Sequence, residues 1–155
     1  MLRKFLFVSL AVITLASCKK DKDEAPAYHV SAKIDGVKKD FNTAVVAQKD
    51  GDAQTGFNVL ITGVSGTSIF PMLNLEIYDE NAAITTKTYT AASNFGAYCA
   101  YSIDSQTGHE SDLDFSITVS SVTATDIKGT FSGKVEDGSG GIKTITEGSF
   151  SAKFQ

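Results

Sequence analysis

The chain has 155 residues, 42% hydrophobic and 21% charged, which is one domain's length with enough apolar material for a packed core. Its formal charge of −4 becomes −6 once Arg3 and Lys4 leave with the first seventeen residues, so its charge does not suit nucleic acid, whose binding rests on Lys and Arg neutralising phosphates. Thirteen Gly, two Pro, no Trp and abundant Ser and Thr suit many short strands joined by tight turns.

Met1-Leu2-Arg3-Lys4 is a short basic start, Phe5 to Ala16 an apolar run, and Leu15-Ala16-Ser17-Cys18 a group of small residues ending in a thiol. That order describes a secretory signal peptide over 1–17. A membrane span needs ~20 apolar residues, more than this run supplies. Leu15-Ala16-Ser17-Cys18 resembles the bacterial lipobox. The resemblance implies diacylation of the Cys18 sulfur, cleavage before it and a new amine open to acylation. One acyl chain anchors marginally, whereas two or three hold firmly. The alternative is an ordinary leader cut near Ala16 or Ser17, with Cys18 left as a free thiol.

Lys19 to Ala27 is charged, lacks large apolar residues and contains Pro26, so 18–27 reads as a flexible tether. Its charges resemble the export signal of Bacteroidetes surface lipoproteins, although Lys19 and Lys20 precede the acids. No Asp directly follows Cys18, so the familiar inner-membrane retention signal is missing. These features place the protein at the outer membrane on a lipid anchor. Display at the cell surface is the first expectation and a periplasm-facing position the alternative.

Residues 28–155 read as a single β domain. Tyr28, Val30, Ala32 and Ile34 alternate with polar residues. Asp35-Gly36 then predicts a type I′ hairpin into Val37 to Phe41. Thr43 to Gln48 continues as strand, and Lys49 to Gly56, with Asp50-Gly51-Asp52, is predicted as a turn. Phe57 to Val64 is apolar on both parities, as in a central strand covered on both faces. Ser65 to Ser68 is a turn. Ile69, Leu73, Leu75 and Ile77 share a face, and Pro71 marks an edge or bulge. Asp79-Glu80-Asn81 is loop, and Thr85 to Thr90 a short strand. Phe95, Ala97, Cys99, Tyr101 and Ile103 share another face, and 104–112 is a polar loop.

Leu113, Phe115, Ile117 and Val119 open three consecutive C-terminal strands. Gly129-Thr130-Phe131-Ser132-Gly133-Lys134-Val135 is echoed nineteen positions on by Gly148-Ser149-Phe150-Ser151-Ala152-Lys153-Phe154. Ile145 and Phe150 have opposite parity, which requires a bulge, placed at Gly148. No apolar period of 3.6 persists for three turns. The expected fold is all-β, an antiparallel β-sandwich or flattened β-barrel of about nine or ten strands.

The stretch Ile127 to Phe154, with Thr88-Tyr89-Thr90, resembles a family of uncharacterised Bacteroidetes lipoproteins that share this Gly-Thr-Phe and Ile-Thr-Glu-Gly-x-Phe pattern. The resemblance implies a small extracytoplasmic β domain and supplies neither activity nor site.

Chemistry-bearing residues are sparse. His29 is expected on the polar face of the first strand and His109 at a solvated loop tip. No nucleophile elbow, zinc-protease or phosphate-loop motif occurs. Turn formation by Asp and Gly, with solubility, is the first account of the loop carboxylates, and Asp104, Glu110 and Asp112 are the best candidates for a weak calcium site. Cys99 reads as a buried, inert thiol. Tyr28, Tyr78, Tyr89, Tyr98 and Tyr101 are the tyrosine rings that could stack on a glycan, Tyr98 foremost because it faces away from Cys99. The reading is therefore a non-catalytic protein with no cofactor, no metal and no catalytic residue. It is held to membrane at Cys18, with an unidentified glycan or protein partner. A structural, host-facing surface protein and a lipocalin-like carrier are the alternatives.

Overall fold

The structure is a computed structural model that describes residues 27–92, 96–111 and 114–155. The expected leader, Cys18, most of the expected tether, and Phe95, Asp112 and Leu113 lie outside the described residues. Eleven strands follow in order: β1 His29–Ile34, β2 Val37–Asp40, β3 Ala44–Asp52, β4 Gly56–Val64, β5 Met72–Asp79, β6 Thr88–Thr90, β7 Ala97–Ser102, β8 Gly108–Glu110, β9 Phe115–Val122, β10 Asp126–Glu136 and β11 Ile142–Lys153. The described residues contain no helix. The all-β antiparallel expectation holds, with one or two strands more than expected.

All the strands belong to one sheet, ordered β2-β1-β11-β10-β8-β7-β5-β4-β3. β9 lies along β10 from Gly133 to Ile127 and carries β6 on its other edge. β10 meets β8 only at Glu136 and Glu110. The sheet curls until β3 reaches the end of β11, where Ala47 bridges Phe154 and the Gln155 N–H donates to the Ala47 carbonyl at 3.1 Å. Inside the curl lie Val30, Phe41, Ile61, Leu73, Leu75, Ile77, Ile117, Ile127, Ile145 and Phe150, each at most 2% exposed.

The C-terminal echo has a packing explanation. Gly129 pairs with Phe150 and Phe131 with Gly148, so each repeat's Phe covers the other's Gly. A Cβ on Gly129 would strike the Phe150 ring, and one on Gly148 the Phe131 ring and carbonyl. Gly133, paired with Phe115, repeats the arrangement at a φ of 148°. The rings line up, Phe115 to Phe131 at 6.3 Å and Phe131 to Phe150 at 6.4 Å between centroids. Glycine weakens a bare strand, but an aromatic ring laid over it restores the buried area.

The Asp35-Gly36 hairpin is as expected, with φ of 51° and 79°. Other expectations need correction. The Asp50-Gly51-Asp52 segment is strand, because the β3–β4 ladder runs unbroken to the Asp52–Gly56 pair. The turn is at 53–55, closed by Asp52 Oδ1, which accepts from the Gln54 and Thr55 N–H groups at 2.8 and 3.0 Å. β4 is central in the sheet but fully covered on one face only. Val59 and Ile61 are buried, whereas Leu60 and Thr62 are half-exposed. Pro71 follows a cis peptide bond in the loop before β5, and Ile69 is 71% exposed instead of sharing the face of Leu73.

The expected bulge exists one position earlier than Gly148. Thr146 and Glu147 together oppose Ser132, and Glu147 takes the left-handed φ of 51°. Gly148 is required for space beneath Phe131, not for its backbone angle.

The polar loop predicted over 104–112 contains β8. Asp104 Oδ1 accepts from the Gln106 and Thr107 N–H groups at 2.8 and 2.7 Å, which makes the turn tight enough for Ser102 to pair with Gly108 and Tyr101 with His109. His109 is thereby carried inward to 5% exposure, which corrects the expected solvated loop tip.

Candidate functional site: a hydroxyl-lined depression on the outer sheet face

Strand register aligns hydroxyl side chains that sequence separates by up to 118 positions. Thr88 pairs with Thr118, Thr118 with Thr130, Thr130 with Ser149 and Ser149 with Ser31. The row crosses β6, β9, β10, β11 and β1. Its ends are tied by Thr88–Thr118 at 2.8 Å and Ser31–Ser149 at 3.1 Å. A depression of about 360 Å3 lies over the middle of this face, lined by Ser116, Thr118, Thr130, Ser132, Glu147 and Ser149 over the Phe131–Gly148 pair. Its floor is the backbone of that pair, since the position a Gly148 Cβ would take faces the buried Phe131 ring on the inner side. The Ser116, Thr130 and Ser132 hydroxyls have no protein partner among the described residues.

Glu147 borders the depression in its left-handed conformation, with Lys33 Nζ 2.7 Å from its carboxylate. A left-handed backbone on a residue other than Gly costs about 1–3 kcal/mol, and such strain clusters at functional sites. The parity of Ile145 and Phe150 called for a bulge beside this face, but the cross-strand alignment that makes a site of the hydroxyls is a property of register.

His29 stands beside this row, half-buried, with Nε2 3.4 Å from Ser149 Oγ. Its Nδ1 is buried without a hydrogen-bond partner. A serine activated by histidine needs a base held by a third group, and the described residues supply none to this ring. His109 Nε2 lies 3.8 Å from Asp137 Oδ2, too long for a direct hydrogen bond, and its Nδ1 is also unpartnered. Its ring packs 6.2 Å from Tyr101.

The calcium candidates do not converge. The Asp104 carboxylate is occupied by its own turn, Glu110 accepts from the Tyr98 hydroxyl, and Asp112 lies outside the described residues. Among the described residues no three His, Cys, Asp or Glu side chains are placed to hold a metal ion. Cys99 is fully buried, and burial pushes its thiol well above the ordinary range.

The tyrosines are committed elsewhere. Tyr98 is half-buried, its hydroxyl held up in pKa by burial and by the hydrogen bond to Glu110, so it packs on the sheet surface and is not an open platform. The Tyr28 hydroxyl donates to Asp126 at 2.7 Å. Tyr78 covers Gly56, and Tyr89 and Tyr101 are buried.

The loop carboxylates act as turn closers. Asp137 Oδ1 accepts from the Ser139 hydroxyl, the Ser139 N–H and the Gly141 N–H at 2.7, 2.9 and 2.8 Å. The Ser139 hydroxyl bond leads the causes that lower its pKa to about 2. Asp35, Asp52, Asp79, Asp104 and Asp126 are also lowered by hydrogen bonds they accept. A depressed folded-state pKa adds stability that is complete above the unfolded value, near 4, and is lost as pH falls through the folded value. Thermal melts are therefore expected to hold from pH 7 to 5 and to drop steeply toward pH 2. Asp137→Ala should melt lower at pH 7 and lose part of that acid slope. An unchanged slope would remove Asp137 from the explanation. No protein-family model matches the chain, and no match is found among curated proteins or solved structures.

Proposed function

We propose that the protein is an outer-membrane lipoprotein, displayed at the cell surface, that binds a glycan without chemical turnover. The observation that carries this is the depression over Gly148, where unpaired hydroxyls and one carboxylate surround an open backbone floor. A ligand rich in hydroxyl groups can donate to and accept from Ser116, Thr130 and Ser132 at once, because each hydroxyl offers both roles. Among the described residues that line the depression, Glu147 is the one charged side chain, and Lys33 pairs with it. Anchoring at Cys18 is read from the leader and tether alone.

A glycan array probed with the Cys18→Ser chain, followed by NMR titration with its strongest ligand, tests the reading. Shift changes are expected at Ser116, Thr130, Ser132 and Gly148. Ser132→Arg should fill the depression and weaken binding at least tenfold. Its melting temperature should stay near wild type, because surface substitutions usually change stability by less than about 0.5 kcal/mol. Glu147→Gly should relieve the left-handed strain and stabilise by roughly 1 kcal/mol. The exposed Lys33 pair it removes contributes little. The same change should weaken the ligand. An array without binding, with no partner crosslinked on cells, would argue against the whole proposal.

A further inference from the structure

A second pocket, of about 340 Å3, opens at one end of the curled sheet. Phe57 and Val59 from β4, Ile84 from the β5–β6 loop and Val122 from the end of β9 form its apolar walls, with Lys49 and Asp50 on the rim. Its size is at the lower end of sites that take small ligands. The chain enters the described structure at the same end. The Ser151 hydroxyl donates to the Ala27 carbonyl at 3.0 Å, and the Tyr28 hydroxyl to Asp126, the first residue of β10 after the short turn that follows Val122.

The reach of the tether makes that coincidence matter. Nine Cα steps separate Cys18 from Ala27, at most roughly 30 Å when fully extended at ~3.3–3.6 Å each. The eleven Cα steps of β11 span about 36 Å at ~3.3 Å each, more than the tether can reach, so the body cannot stand upright on its opposite end at a surface that holds Cys18. We infer that the Phe57–Ile84–Val122 pocket faces the membrane and receives a single acyl chain from the lipid surface. This rests on the Cys18 anchor proposed above. Lys49 and Asp50 contribute opposite charges to the lining, and Lys49 Nζ is turned over the Phe154 ring at 3.7 Å, so apolar contact and not headgroup charge governs entry, and added salt should not weaken it.

Two measurements test this. In the Cys18→Ser full chain, dodecanoate below its micelle concentration should give saturable NMR shifts at Val59, Ile84 and Val122. Val122→Glu and the exposed-rim Ala83→Glu should each lower that affinity at least tenfold. No saturable shifts at these residues would overturn the pocket assignment. In the acylated chain on phosphatidylcholine vesicles, a spin label at Ala83→Cys should be shielded from aqueous nickel chelate and open to oxygen. A label at Ser139→Cys, in the distant β10–β11 turn, should show the reverse. Equal accessibility at the two sites would overturn the lipid surface as the source. Failure of the anchor itself reads out separately, as a mass without lipid and a chain that does not float with vesicles, and the dodecanoate titration still decides the pocket.

Discussion

Phe150→Ala is expected to cost about 3–5 kcal/mol of folding stability, as for other fully buried aromatic residues cut to Ala. Phe150 is 2% exposed, covers Gly129 and ends the ring series that runs through Phe131 and Phe115. Removing it leaves a cavity over a strand residue that has no side chain to fill it. Typical domain stability is about 5–15 kcal/mol, so this one change removes a large share. The converse change, Gly129→Ala, forces a methyl group against the Phe150 ring and the Thr118 carbonyl, and overpacking of that kind costs about 1–3 kcal/mol. The combined variant separates this account from general core disruption. Once the Phe150 ring is gone, the methyl at Gly129 has room on that side, so the pair should lose at least about 1 kcal/mol less than the sum of the single losses. Urea unfolding of the four proteins measures this coupling. Simple additivity would mean that the Phe-over-Gly pairing is incidental.

Cys18→Ser should have the largest effect on where the protein resides. On the proposed anchor, every buried methylene adds ~0.8 kcal/mol of membrane affinity, and two or three chains make the attachment stable. Without the thiolate there is no nucleophile to accept the lipid. The apolar run Phe5 to Ala16 falls short of a ~20-residue span, so it is a poor substitute. Intact mass of the wild-type chain extracted from outer membranes should correspond to a start at Cys18 plus acyl groups, and protease added to whole cells should shave it away. The variant should carry no lipid mass and should be missing from the outer-membrane fraction. A variant still held there tightly, or a wild-type chain with an unmodified thiol, would remove the anchor. Resistance to shaving in an otherwise lipidated protein would favour the periplasm-facing alternative.

The contrast between β1 and β8 shows how far local pattern reaches. β1 alternates cleanly from Val30 to Ile34 and ends in Asp-Gly, so strand, buried face and turn type are all legible before any tertiary contact is known. β8 has three residues, Gly108-His109-Glu110, with no apolar side chain. It becomes a strand because Asp104 tightens the preceding turn and β7 offers a free edge. His109 is buried for the same reason, as the partner of Tyr101, and no sequence window around it shows this. Asp50 and Gly51 make the same point from the other side. Their turn-forming preference gives way to a complete ladder with β4.

The chain's own order of residues determined the strand class, the Asp35-Gly36 hairpin, the three C-terminal strands and the need for a bulge before Phe150, because periodicity and turn chemistry act over a few neighbours. It also carries the proposal of a lipid anchor, since the basic start, the apolar run, Cys18 and the charged segment after it are contiguous. Only the tertiary structure decided that Phe150 lies on Gly129, that five strands bring their hydroxyls into one row, and that the apolar pocket opens at the end of the sheet where Ala27 and Tyr28 sit. Each of these depends on register between distant strands, and a shift of a single residue would turn every side chain of a strand to the opposite face.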